Sequence, residues 1–168
     1  AGAGGHTGWA NPFAFVRAVR KFWDGIVVMA GGMADGHAVA AAQALGCDLA
    51  YMGTKFIATR ESLAKGAYKQ MLVSSRLDDV LLTRAFTGLE TNMLRPSIAA
   101  AGLDPDDLPV RGSIDISKDI NAAERDRPNA KRWKDIWSAG HSVSGVADVP
   151  SVAVLVERTA AEYDAACR

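Results

Sequence analysis

Cysteine is scarce in this chain, with two in 168 residues, Cys47 and Cys167. They lie far apart and match no Cys or Cys/His spacing, which argues against a zinc site, a redox pair and a disulfide framework. Cys47 follows an apolar, helix-like stretch and reads as a small buried hydrophobe. An excess of charge of either sign is missing too: 19 Lys and Arg balance 19 Asp and Glu. Such a balance draws neither nucleic acid nor an anionic membrane. No apolar run is long enough to span a bilayer. The opening AGAGGHTG has neither the charged nor the apolar region of a signal peptide, so a cytoplasmic location is expected. There is no HExxH spacing, so no metal is expected, and no G-x-S-x-G elbow, which argues against a serine hydrolase. The chain also lacks an initial Met and any strand ahead of its first glycine turn, so a start inside a larger fold is expected.

What is present is enough for one globular domain, since hydrophobic residues make up 49% of the chain. Asn11-Pro12 reads as a helix start. Phe15, Val16, Val19 and Phe22 then share one helical face, and Asp24-Gly25 ends the helix. Ile26 to Ala30 is all apolar, as suits a parallel strand covered on both faces, and it runs into Gly31-Gly32. A second helix spans His37 to Leu45 and closes at Gly46. Asp48 to Met52 forms the next strand and runs into Gly53-Thr54, after which Thr59 reads as an N-cap with Glu61 near the positive end of its helix. Helix followed by strand, twice, with short connections, is the pattern of a parallel α/β sheet or barrel, its strands side by side and ending on one edge.

Beyond residue 60 the pattern is mixed. Helical spacing is predicted through Lys69–Val73 and Asp78–Leu82. Pro96, Pro105 and Pro109 punctuate a turn-rich stretch, and residues 112–130 are polar and weakly patterned. Trp133, Ile136 and Trp137 mark a return to a packed helix, and Val149-Pro150-Ser151 opens a final amphipathic one. The organisation is therefore read as residues 1–60, 61–132 and 133–168.

Two glycine turns, AGG at 30–32 and MGT at 52–54, end two neighbouring strands. Glycine lets a backbone come close to a ligand, and its N–H groups can meet an anion. The helix after Gly32 would add its positive end, and the Thr54 hydroxyl a further donor. In barrel enzymes the loops after the last two strands commonly bind phosphate. A phosphate-bearing ligand and a pair of ordinary turns both fit this spacing. His6, between glycines in GAGGHTG, suits proton abstraction from a carbon acid, or is a surface-loop histidine. His37 reads as a surface residue. His141, in WSAGHSVSG, is a turn residue or lines a ligand pocket.

In order, GAGGHTG (2–8), NPFAFV (11–16), MAGGMADG (29–36), AAAQALGCDLAYMGTKFIAT (40–59), LTRAFTG (82–88), LRPS (94–97) and IWSAGH (136–141) resemble the nitronate monooxygenase family, formerly the 2-nitropropane dioxygenases. The resemblance implies an α/β fold, the C-terminal part of a TIM-type (β/α)8 barrel. Residues 1–60 would supply its last two strands, 61–132 a mainly helical segment covering the substrate, and 133–168 helices packing back on the barrel. It implies FMN held by Gly31, Gly32, Gly53 and Thr54, with Tyr51, Met52, Gly4 and Gly5 lining the cofactor. His6 matches the family's catalytic base, and His141 falls by the substrate. The implied reaction is oxidation of alkyl nitronates by O2 to a carbonyl compound and nitrite. The six earlier strands would come from elsewhere, in a longer protein or a second copy. Two places depart from the family pattern: Gly2, where an acid is frequent, and His141, where Gln is frequent. They point to a subfamily with its own substrate. Two other readings are an FMN-dependent enoyl-thioester reductase, which would consume NAD(P)H, and a non-catalytic flavin- or phosphate-binding fragment.

Overall fold

A computed structural model describes residues 1–108 and 135–168. Pro109, the stretch 112–130 and Trp133 lie outside the described residues. The first helix, α1 (Pro12–Val19), starts where Asn11 accepts from the Phe13 N–H through its side chain at 3.0 Å. Strand β2 (Val28–Ala30), helix α2 (Gly36–Ala44) and strand β3 (Leu49–Tyr51) follow as predicted from their apolar runs and glycine stops. β2 and β3 pair in parallel, with Val28 opposite Leu49 and Ala30 opposite Tyr51. Gly46, at φ +101°, turns the chain out of α2, a backbone conformation that a side chain would oppose.

The far end of this unit is tied by one arginine. Arg20 donates through Nε to Gly46 O and through Nη1 to Gly25 O, each at 2.6 Å. It also pairs with Asp48 at 2.6 Å, and Asp48 accepts from the Val27 N–H at 2.8 Å. One side chain thus links α1 to the entries of both strands. The core beneath is Val16, Met29, Met33, Ala42 and Cys47. Burial pushes the Cys47 thiol above its ordinary pKa, as for an inert packed cysteine.

The two-sided burial expected for the parallel strands is not met within this chain. Val28, Leu49 and Tyr51 remain exposed, and so do Phe15 and Phe22 of the apolar face predicted at the first helix. Val16 of α1 and Ala42 of α2 pack in one cluster with Met29 of β2, while Val28, Leu49 and Tyr51 lie outside it and exposed.

A second sheet joins the start of the chain to residues 80–94. Strand β1 (Gly5–His6) pairs antiparallel with β5 (Thr91–Leu94), which pairs antiparallel with β4 (Val80–Thr83). Here the predicted helix over Asp78–Leu82 is corrected. A 3-10 turn covers Leu77–Asp79, and Val80 to Thr83 pair across to Leu94, Met93, Asn92 and Thr91. A short apolar run carries too little periodicity to separate helix from strand, and the long-range pairing decides it. After the short helix α3 (Thr54–Ile57), the described part of residues 61–132 is therefore helix plus hairpin: α4 (Gly66–Ser74), the β4–β5 hairpin and α5 (Arg95–Ala100).

Two further local readings change. Thr59 caps no helix; its hydroxyl donates to Phe56 O at 2.8 Å, and α4 starts only at Gly66. Glu61 instead accepts from the Val152 N–H, 3.0 Å from each carboxylate oxygen, at the start of the last helix, α6 (Val152–Ala166). Trp137 is not helical. Its carbonyl accepts from the Leu94 N–H at 2.8 Å, and its ring stacks on Tyr68 at 4.9 Å between centroids. The Tyr68 hydroxyl donates to Ser138 O, and burial pushes its pKa up. Leu72, Leu94, Ala139, Val143 and Val146 pack around this join, and Met93, Ile98, Phe86 and Ile136 form the adjoining cluster.

Candidate functional site

Four short backbone segments meet: the glycine loop 1–6, the turn at 30–32, the start of α3 at 53–54, and residues 139–141. The His141 N–H donates to Gly2 O at 2.9 Å, and the Gly140 N–H donates to the Thr54 hydroxyl oxygen at 2.9 Å. Their closeness requires glycine at particular places. A Cβ on Gly140 would stand 2.5 Å from Gly2 O, one on Gly4 2.8 Å from Gly140 N, and one on Gly31 2.7 Å from Ala3 N. Gly31 also has φ +94°, so any side chain there is both strained and blocked.

The paired glycines of the sequence motifs therefore divide into two kinds. Gly4 and Gly31 face neighbouring backbone, while the Cβ directions of Gly5, Gly32 and Gly53 meet nothing within 4 Å. Thr54, next to Gly53, is buried. Thr54 acts as acceptor toward Gly140, and a hydroxyl in that role keeps its own hydrogen to donate. Met52 packs into the core beneath β2 and β3, whereas Tyr51 is exposed.

The start of α2, expected to lend its positive end to the turn at Gly32, has partners of its own. Its N-terminus already holds two carboxylates: Asp35 accepts from the Ala38 N–H, and Glu162 of α6 accepts from the Gly36 N–H, both at 2.9 Å. α6 lies so close that a Cβ on Gly36 would meet Tyr163 N at 2.1 Å. Two of the N–H groups at this helix end are thus taken by carboxylates of the protein itself. Glu162, 126 residues from its partner, left no local signal in the sequence.

His6 sits on β1, exposed, opposite Thr91 of β5. The strand pairing continues past it, with the Thr7 N–H donating to Glu90 O at 3.1 Å. The sequence reading missed Asn92. It is 2% exposed and donates through Nδ2 to Ala3 O at 2.8 Å, in the same loop as His6. A polar residue just ahead of the apolar Met93-Leu94 was its one visible sign. His141 is exposed, with its Nδ1 3.2 Å from where a Gly2 Cβ would be, so it flanks the glycine loop beside the turn at Gly32. His37 is exposed on α2, as expected.

A separate cavity of about 140 Å³ lies between residues 145–150 and α6. Its charged groups are engaged: Arg158 pairs with Asp148, and Lys55 donates to Gly145 O. No group of metal-ligating side chains is present among the described residues, and no described helix is long and apolar enough to cross a membrane.

The nitronate monooxygenase family model matches residues 1–162. The chain is 32% identical to a nitronate monooxygenase of Paraburkholderia phytofirmans, over 73% of this chain and 37% of that protein. It is also 32% identical to one of Pseudomonas aeruginosa, over 91% and 46%. Among solved structures, nitroalkane oxidase from Streptomyces ansochromogenes superposes with a TM-score of 0.69 and 31% identity, over 98% of this chain and 50% of that one. A FabK mutant from Thermotoga maritima gives 0.73 and 25%, with the same coverage. The chain spans half or less of each of these proteins. With a match that runs along nearly the whole chain, this chain belongs to the nitronate monooxygenase family.

Proposed function

We propose that this chain is the C-terminal part of an FMN-dependent enzyme that oxidises alkyl nitronates with O2 to a carbonyl compound and nitrite. The observation that carries the reading is the convergence of the bare turns at Gly32 and Gly53 with the loop bearing His6. β2 and β3 are read as the last two strands of a barrel. Their uncovered side, with Val28, Leu49 and Tyr51, belongs against strands supplied by the rest of a longer protein or by a second chain. Residues 61–132 are read as the part that covers the substrate, and 133–168 as packing back on the barrel.

FMN, when bound, supplies the electron-transfer chemistry. The chain's own groups do the rest. The backbone at Gly31, Gly32 and Gly53 and the Thr54 hydroxyl hold the phosphate, with Gly4, Gly5, Tyr51 and Met52 around the cofactor. His6 takes the α-proton from a neutral nitroalkane, or holds the anionic nitronate in place. His141 borders the substrate side of the glycine loop.

The test is to purify the chain with FMN, remove free cofactor, and record the visible spectrum and nitronate-dependent oxygen uptake. The same is done for a chain extended through six preceding strands. A retained flavin spectrum and nitrite release are expected for the extended protein. Its failure to keep flavin would overturn the reading, and NAD(P)H consumption with an enoyl thioester in place of oxygen uptake would favour the reductase.

A further inference from the structure

We propose that Asn92 is a positioning residue for His6; the inference rests on the proton-abstracting role just proposed for that histidine. Asn92 lies on β5 opposite Gly5, and its carboxamide donates to Ala3 O at 2.8 Å. The loop it holds runs through Gly2, Gly4 and Gly5, of which Gly2 and Gly5 have positive φ. Such a segment loses more conformational freedom on ordering than any other kind. Backbone bonds also hold it, from the His141 N–H to Gly2 O and from the Thr7 N–H to Glu90 O. Asn92 adds a buried side-chain tie between them, three residues ahead of His6.

The chemistry of the position supports the assignment. β5 is buried throughout, and Met93 and Leu94 beside Asn92 are apolar core residues. An apolar side chain at 92 would serve packing equally well and would avoid burying a polar amide. The amide is useful there because it meets the Ala3 carbonyl. With Ala3 held and Gly5-His6 paired to β5, the imidazole is carried on a short span fixed at both ends. Small displacements of such a group matter, since a misplacement of about 1 Å can cost roughly a hundredfold in rate.

The experiment compares wild type, Asn92→Ala and Asn92→Asp by amide hydrogen exchange and histidine-ring NMR on this chain. In both variants at neutral pH, protection of the Thr7 amide falls by about tenfold or more, and the His6 ring resonances move. The amides of α2 and α6 and the His37 ring stay as they were. Asn92→Asp keeps the shape of the side chain and adds a signature. A carboxyl buried against a carbonyl favours its neutral form, so it becomes a donor as pH falls, and Thr7 protection returns. Asn92→Ala shows no such return.

Unchanged Thr7 protection and His6 resonances in both variants would overturn the proposal. So would a loss spread evenly into α2 and α6, which would make Asn92 a core residue and no more. A second readout uses the extended, FMN-loaded enzyme. There Asn92→Ala should lower turnover of the neutral nitroalkane about ten- to hundredfold relative to turnover of the nitronate, because only the neutral substrate needs a proton removed. If the wild type turns over neither substrate, the functional reading fails, and the exchange data still decide the role of Asn92.

Discussion

The two sheets of this molecule are built on opposite terms. In the antiparallel sheet every residue of β5 is buried, and Thr91 and Leu94 are fully so. In the parallel pair, only Met29 of β2 is buried, while Val28, Leu49 and Tyr51 stand in solvent with Phe15, Phe22 and Trp9 nearby in the chain. The first sheet draws its partners from residues 5 to 138 of this chain. The second has one face provided for and one left apolar. Large exposed apolar patches mark a surface meant for another layer, and two parallel strands cannot close a barrel by themselves. The antiparallel sheet is thus the self-sufficient half. It also carries His6, so the loop proposed for proton transfer is held by strand pairing within this chain.

The strongest way to break this contrast is at Leu94. It is fully buried and packs in the cluster that joins α4 to the 141–146 stretch. Leu94→Ala should lower the unfolding free energy by about 2–5 kcal/mol, from lost transfer energy plus a residual cavity. Urea denaturation followed by far-UV circular dichroism measures it. A loss below about 1 kcal/mol would mean that the antiparallel sheet does not stabilise the chain as described.

This division was only half legible in the sequence. Local signals placed β2, α2 and β3, because an apolar run ended by a glycine pair carries its own information; Gly46 and Asn11 did the same for helix ends. The hairpin was misread because Val80–Leu82 is short and its strand character lies in its partners, Asn92 and Leu94. At the site, the glycine turns and His6 were visible as motifs. What the motifs could not show was which glycines face backbone and which face open space. Gly31 and Gly32 are adjacent, yet a Cβ on the first would strike Ala3 N and one on the second would meet nothing within 4 Å. The partners of Glu162 and Asn92 were hidden for a related reason, since each acts on a backbone group 89 or more residues away.

Acid should separate the two sheets by a smaller effect. The Val27 N–H, and then Arg20, hold the Asp48 carboxyl below its usual pKa. A carboxyl with a lowered folded pKa stabilises fully above its unfolded value of about 3.9, and that contribution disappears as pH falls through the folded value. Below about pH 4, therefore, the amides of α1 and of the β2–β3 pair should lose exchange protection before those of β5. Asp48→Asn should remove this acid dependence. Simultaneous loss in both sheets would show that Asp48 is no special tie of the parallel unit.

The smallest effect is expected where the sequence looks most hydrophobic. Leu49 is 59% exposed and begins β3, so Leu49→Ser removes little that is buried within this chain. Its unfolding free energy should change by no more than about 0.5 kcal/mol. Self-association, followed by light scattering against concentration, should fall because an exposed leucine is gone from the edge of an apolar face. The same substitution in a protein extended through the preceding strands should be costly, about 2–5 kcal/mol, because there the side chain is buried. The difference between the two measurements isolates what the missing layer contributes at one residue. An equal and small cost in both would mean that this face of β3 stays open even in the longer protein, and the barrel reading of β2 and β3 would fall with it.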